Sequence, residues 1–229
     1  VKAWTLKKQA PCPSLLRRMA KEVTAAALPR SLFMTRGPRG SRGVCLTFDD
    51  GPDPEITPRL LDILAEERVH ATFFLIGESA ERHPGIVRRI ASEGHVVGNH
   101  TYEHKDCRSS TGHKFLESAV RARAILRELS GQPVELFRPP HGRLSVASLL
   151  GLWRIGQRIV LWNVDSKDYL ITDPAEIRQS LAERSRRGGD MFLFHDNRPQ
   201  CLAVLPDLIR VMAAKGLSFT TPSTWITRR

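Results

Sequence analysis

The chain has 229 residues, 41% of them apolar and 26% charged, an ordinary balance for a chain that buries a real core as one large α/β domain or two small ones. No apolar run approaches the roughly 20 residues of a membrane-spanning helix. The net charge of +11 is uneven: residues 1–43 hold ten Lys or Arg against one acid, Glu22, leaving 25 basic and 23 acidic residues beyond. The near-neutral body lacks the basic face that nucleic-acid binding needs, so no nucleic-acid partner is expected.

The basic arm comes first. Residues 14–28 read as a helix capped by Ser14 and stopped by Pro29, with Leu15, Leu16, Met19, Val23, Ala26 and Ala27 on one face. Packing of this stripe on its own domain is the expectation. A weak contact of residues 1–43 with a membrane surface or an anionic polymer is the alternative. Residues 36–43, rich in Gly, Arg and Ser, read as a linker, which divides the chain into an arm over 1–43 and a body over 44–229. The opening residues show no leader pattern, but they begin with Val rather than Met. The cellular address stays open, with a cytoplasmic or membrane-peripheral one expected.

From Val44 strand-like runs occur at 44–48, 71–76, 95–98, 135–138, 159–164, 191–194 and 217–220. Helix-like stretches alternate with them near 56–68, 84–93, 113–130, 145–157, 174–186 and 202–215. Such alternation predicts a mainly parallel sheet, and seven strands in this length fit a compact barrel better than two domains. The four cysteines, Cys12, Cys45, Cys107 and Cys201, show no CxxC spacing, which favours scattered thiols over a disulfide framework or a thiolate metal site.

Unusual polar residues stand where the strands finish, the end at which parallel α/β folds build their sites. The apolar run 44–48 opens into Asp49-Asp50-Gly51-Pro52, either a polar turn or two carboxylates aimed into one site, where like charges would need a cation. His100-Thr101-Tyr102-Glu103-His104 spaces two imidazoles four residues apart, one side of a helical turn. With Asp50 they form a two-His, one-carboxylate set for which Zn²⁺ is the default ion, other divalent metals remaining open. The same five residues match an inverted H-x-x-E-H zinc-peptidase signature with Glu103 as base. His195, after an apolar strand, is placed to act as a general acid near neutral pH. Arg138 would be a buried guanidinium paired with Asp49 or Asp168.

Taken in order, Thr47-Phe48-Asp49-Asp50-Gly51-Pro52, His100-Thr101-x-x-His104, Arg138-Pro139-Pro140-x-Gly142, Asp165-x-x-Asp168-Tyr169 and Leu193-x-His195 resemble the five motifs of the polysaccharide deacetylase family, carbohydrate esterase family 4. The resemblance covers roughly residues 44–220. It implies a distorted, incomplete (β/α)7 barrel of TIM-barrel type and metal-dependent removal of N-acetyl groups from a glycan, releasing acetate. It further implies Asp49 as general base, Asp50, His100 and His104 as metal ligands, and Arg138 as the residue that orients Asp49. His195 would be the general acid tethered by Asp168. Tyr169 and Leu193 would line the acetyl pocket, and a backbone N–H at the Pro140-His141 turn would hold the oxyanion. Two positions depart from the family pattern, His141 where Tyr is usual and Tyr169 where Trp is usual. A catalytically silent carbohydrate-binding protein on the same barrel is a further reading that the resemblance leaves open.

Overall fold

The apolar run that ends in two carboxylates folds as the central strand β2 (Gly43–Asp49), buried along all seven residues. The structure, a computed structural model, describes residues 23–107, 111–183 and 187–226. Around β2 the chain alternates strands with helices: α1 (Ile56–Glu66), β3 (Thr72–Leu75), α2 (Gly77–Arg82), α3 (Pro84–Ser92), β4 (Val96–Asn99) and α4 (Gly112–Ser130). There follow β5 (Leu136–Phe137), α5 (Val146–Arg154), β6 (Arg158–Val160), β7 (Val164–Asp165), α6 (Pro174–Glu183), β8 (Met191–His195), α7 (Gln200–Ala214) and β9 (Ser218–Phe219). Local chemistry marks the helix starts. Asp53 accepts the N–H groups of Glu55 and Ile56 ahead of α1, Ser145 accepts Ser148 N–H at α5, and Gly131 ends α4 in the left-handed conformation.

A further strand, β1 (Phe33–Met34), precedes β2, and the sheet runs β1-β6-β5-β4-β3-β2-β8-β7, with β9 beside the start of β2. Every ladder is parallel. β1 and β7 are the two ends of the sheet. The curl that brings them round is closed by loops: Gly37 N–H donates to Gly189 O, and Arg36 pairs with Asp190 at 3.4 Å. The result is a distorted, incomplete (β/α)7 barrel.

Alternation along the strands decides what the barrel encloses. Met34, Cys45, Phe74, Leu136, Val160 and Met191, one from each of six strands, form an apolar cluster in the interior. Two residues further along come Thr47, Arg138 and Leu193, and two further again Asp49 and His195. The opposite faces of the same strands, with Leu46, Phe48, Phe73 and Phe192, pack on helices α1 and α7 through Leu60, Leu61, Leu205 and Leu208.

The expected division between residues 43 and 44 is not where the sheet begins. Phe33 and Met34 pair with Ile159 and Val160 of β6, so part of the expected arm is a strand of the barrel. Residues 23–27 are helical, and Ala25 and Leu28 pack on the cluster around Phe33, Phe115 and Phe137. The rest of the helix expected over 14–28 lies outside the described residues, as does Cys12. The run expected as one strand over 159–164 is two. Leu161 N–H donates to Met34 O while Asn163 N–H donates to Met191 O, so the chain crosses from one end of the sheet to the other between β6 and β7. The six-residue helix α2 was not expected, being too short to show a helical period.

Candidate active site

Because all strands are parallel, the polar residues that follow β2, β4, β5, β7 and β8 open on one face. Below that face lies Arg138, completely buried. Its Nη1 donates to Asp49 Oδ1 and Thr47 Oγ1, both at 2.7 Å, its Nε to Val160 O at 3.0 Å and its Nη2 to Leu161 O at 3.1 Å. The guanidinium also stacks over the Phe74 ring at 4.1 Å. The break between β6 and β7 thus has a purpose: carbonyls that would pair in a longer strand turn toward a buried cation. Of the two partners considered for Arg138, the structure selects Asp49.

Asp50 stands one residue on, with φ of 78°, a left-handed conformation that costs a non-glycine residue strain. Its Oδ1 lies 3.1 Å from His104 Nε2 and 3.4 Å from His100 Nε2. The other ring nitrogen of His100, Nδ1, is 2.7 Å from Arg138 O and must donate to it. A neutral His100 therefore turns a lone pair, not a proton, toward Asp50. Asp50 Oδ1 is buried without a hydrogen-bond partner, and one ligand atom from each of Asp50, His100 and His104 lies within 4.8 Å of the others. An orphaned carboxylate oxygen facing two imidazoles is the donor set a divalent cation requires, so these residues fit the implied metal. Burial works to raise the Asp50 carboxyl, yet the two imidazoles facing it hold it well below the usual range. Burial likewise works against a charged His100, but Asp49 and Asp50 raise it.

The HxxxH spacing does not act through a helix. Residues 100–104 form a loop in which Thr101 and His104 have φ of 68° and 57°. The loop is gripped from outside. Thr101 O and Tyr102 O accept N–H groups from Gly77 and Glu78 of α2, Thr101 N–H donates to Asn99 Oδ1, and Tyr102 N–H to Ser118 Oγ. Asn99 is itself held by Ala119 O and Gln157 Oε1. The short helix that periodicity could not reveal is what bends this loop toward Asp50. Glu103 points away and pairs with Lys105 at 2.6 Å.

Across the site His195 Nδ1 is 2.7 Å from Asp168 Oδ1, and His195 N–H donates to Asp168 Oδ2 at 2.8 Å, so one carboxylate fixes both ring and backbone. Burial works against the imidazolium, but the Asp168 hydrogen bond and charge, helped by Asp49 and Asp50, push His195 up to about 9. Tyr169 meets the His195 ring edge-on at 5.1 Å and donates to Asp165 Oδ2, while Leu193 lies buried two residues before His195. Pro140 and His141 form a turn of 3-10 helix after β5, with His141 at φ 56°. The His141 ring meets that of His104 edge-on at 5.0 Å. Burial first, then His104 and Arg143, lowers the His141 imidazole.

All eleven candidate residues thus meet at one mouth. Two others carry roles that the sequence did not assign. Thr47, which accepts from Arg138 and donates to Phe192 O at 2.6 Å, looked like any β-branched strand residue. Asp196, beside His195 among the polar residues at the strand ends, was assigned no role, yet its side chain is completely buried against Thr57. Burial first, then Asp50 and Asp49, push its carboxyl up to about 8.

Residues 36–160 match the model of the polysaccharide deacetylase family. A peptidoglycan-N-acetylglucosamine deacetylase of Bacillus cereus is 37% identical over 189 residues, spanning 81% of this chain and 68% of that protein. A chitooligosaccharide deacetylase of Azorhizobium caulinodans is 32% identical over 183 residues, 79% of this chain and 87% of the other. Among solved structures, the Bc1960 peptidoglycan N-acetylglucosamine deacetylase superposes with a TM-score of 0.81 at 35% identity, covering 86% of this chain and 94% of its own. The order of motifs, the barrel and these likenesses agree, and the chain belongs to the polysaccharide deacetylase family.

Proposed function

We propose that this protein is a divalent-cation-dependent hydrolase, zinc being the favoured ion, that removes N-acetyl groups from an N-acetylated glycan and releases acetate. The observation that carries the reading is Asp49. It is a buried carboxylate whose Oδ1 is tied to Arg138, while its Oδ2 lies 3.8 Å from His100 Nε2, beside the cation-binding triad. A divalent cation bound by Asp50, His100 and His104 would polarise an acetamide carbonyl and make a nearby water more acidic.

The chain's own residues do the rest. Asp49 accepts the proton of the attacking water, its reach set by Arg138. The backbone N–H of His141 would donate to the carbonyl oxygen as it gains negative charge. His195, protonated and held through Nδ1 by Asp168, delivers the Nε2 proton to the departing amine, so the C–N bond breaks without expelling an anion. Leu193 and Tyr169 close the acetyl side. Tyr169 in place of the family's usual Trp gives a smaller, more polar wall.

The peptidase reading finds less support. It needs Glu103 aimed at the cation from within a helix, whereas residues 100–104 are a loop and Glu103 is paired with Lys105. Acetate release from a panel of peptidoglycan, chitooligosaccharides and an acetylated exopolysaccharide, with and without chelator, tests the proposal and ranks the substrates. Peptide cleavage without acetate release would overturn it.

A further inference from the structure

The turn that carries Asp50 must be held in an unfavourable conformation, and the hydrogen bonds of the turn itself do not do this alone. Gly51 O accepts Ile76 N–H at 2.9 Å, which anchors one side. The other side rests on Asp196. Its backbone N–H donates to Asp49 O at 3.1 Å, extending the β2–β8 ladder by one bond past Asp49 and His195. Its carboxyl then folds beneath Gly51, so close that a Cβ at residue 51 would lie 1.9 Å from Asp196 Oδ2. Thr57, in the first turn of α1, donates its hydroxyl to the same oxygen at 2.8 Å and accepts Asp53 N–H, also at 2.8 Å. The chain 49–57 is thereby clasped at both ends around one buried carboxyl.

We propose that Asp196 is a positioning residue for the cation site, its carboxyl acting with Thr57 as a wedge under Gly51 that sets Asp50 against His100 and His104 and keeps Asp49 beside them. The inference rests on the cation-dependent reading above. Asp196 and Thr57 are both completely buried, so the wedge acts through the turn it supports. A glycine is required at 51 because the space of a side chain is already occupied by Asp196, and a left-handed Asp50 persists because its surroundings over-determine it. Shape and hydrogen bonding rather than net charge are what the wedge supplies, so an amide of the same outline can replace the acid.

The test measures zinc affinity by chelator competition, together with kcat and KM for acetate release and the melting temperature of each variant. Asp196→Ala should weaken zinc binding by ~10- to 100-fold, the range for a lost supporting contact to a metal ligand, and lower kcat with KM little changed. Asp196→Asn should stay within about threefold of wild type in zinc affinity. Thr57→Val should reproduce part of the loss, which keeps the proposal testable if Asp196→Ala fails to fold. Gly51→Ala should weaken zinc binding by colliding with Asp196, and Gly51→Ala/Asp196→Ala should recover part of that loss, because the vacated space receives the new Cβ. A folded Asp196→Ala with wild-type zinc affinity, or strictly additive losses in the double variant, would overturn the proposal. Failure of the wild type to bind zinc or to release acetate would instead overturn the functional reading on which it rests.

Discussion

Replacing Asp168 by Asn removes the charge that holds His195 protonated while leaving an oxygen to accept His195 N–H. Asp168 binds the imidazole at 2.7 Å and, with smaller help from Asp49 and Asp50, raises it from 6.5 to about 9. That difference corresponds to about 3 kcal/mol in favour of the charged form. Only Asp168's share is lost in the variant, and burial then works unopposed against the imidazolium. A fall of ~2 pH units is the scale expected. At pH 8 the protonated fraction would drop from about 0.9 to about 0.1. The readout is the pH profile of kcat/KM for acetate release. Protonation of the departing amine needs a charged His195, so the alkaline limb of the profile contains the His195 ionisation and moves acidward in Asp168→Asn. Water on a divalent cation titrates in the same range, and the variant separates the two. His141→Tyr, which restores the usual family residue, is the control. An alkaline limb unmoved by Asp168→Asn but shifted by His141→Tyr would remove His195 as the controlling acid.

His104→Ala should abolish tight binding of about one zinc per chain while leaving the melting temperature of the metal-free protein nearly unchanged; full occupancy would remove His104 from the ligand set. Glu103→Gln should change the rate less than threefold or so, since Glu103 only meets Lys105 at the surface, and a loss comparable to that of Asp49→Asn would revive the peptidase reading. Arg138→Met should destabilise the fold by roughly 3–5 kcal/mol in denaturant titration, because it strands Asp49 and two carbonyls in a dry interior. A stability within about 1 kcal/mol of wild type would mean that Asp49 finds another partner. Deleting residues 1–40 should lower the melting temperature by removing Phe33 and Met34 from the sheet. Unchanged stability with lost binding to anionic vesicles would favour the membrane or polymer reading of the arm.

Much of the barrel was legible because buried parallel strands are continuous apolar runs, and Val44–Phe48 and Met191–Phe194 are such runs. What stayed hidden was short or non-local. Phe33–Met34 is a two-residue strand defined by its pairing with β6, so no local period could mark it and it fell within the expected arm, ahead of the linker read at 36–43. The split at Leu161–Asn163 follows from the demand of Arg138, 22 residues earlier, for the Val160 carbonyl. Local propensity carries no trace of that demand. At the site, residue types and their order gave the triad, the Arg138 pair and the His195 tether. The HxxxH spacing suggested the wrong backbone, a helix, for the right convergence, because α2 and Asn99 bend the loop from outside. The roles of Thr47 and Asp196 were not legible because hydroxyls and carboxyls are judged by what surrounds them, and only the fold brings Arg138 and Thr57 to them.

The most direct measurement is the product balance in ¹⁸O-enriched water. N-acetylated glycan incubated with the zinc-loaded protein should yield one singly labelled acetate for each primary amine formed, with the sugar backbone intact. Neither product should accumulate with chelated protein or with Asp49→Asn. Glycan binding with no acetate from the zinc-loaded protein, or an undiminished rate in Asp49→Asn, would contradict hydrolytic deacetylation by this site.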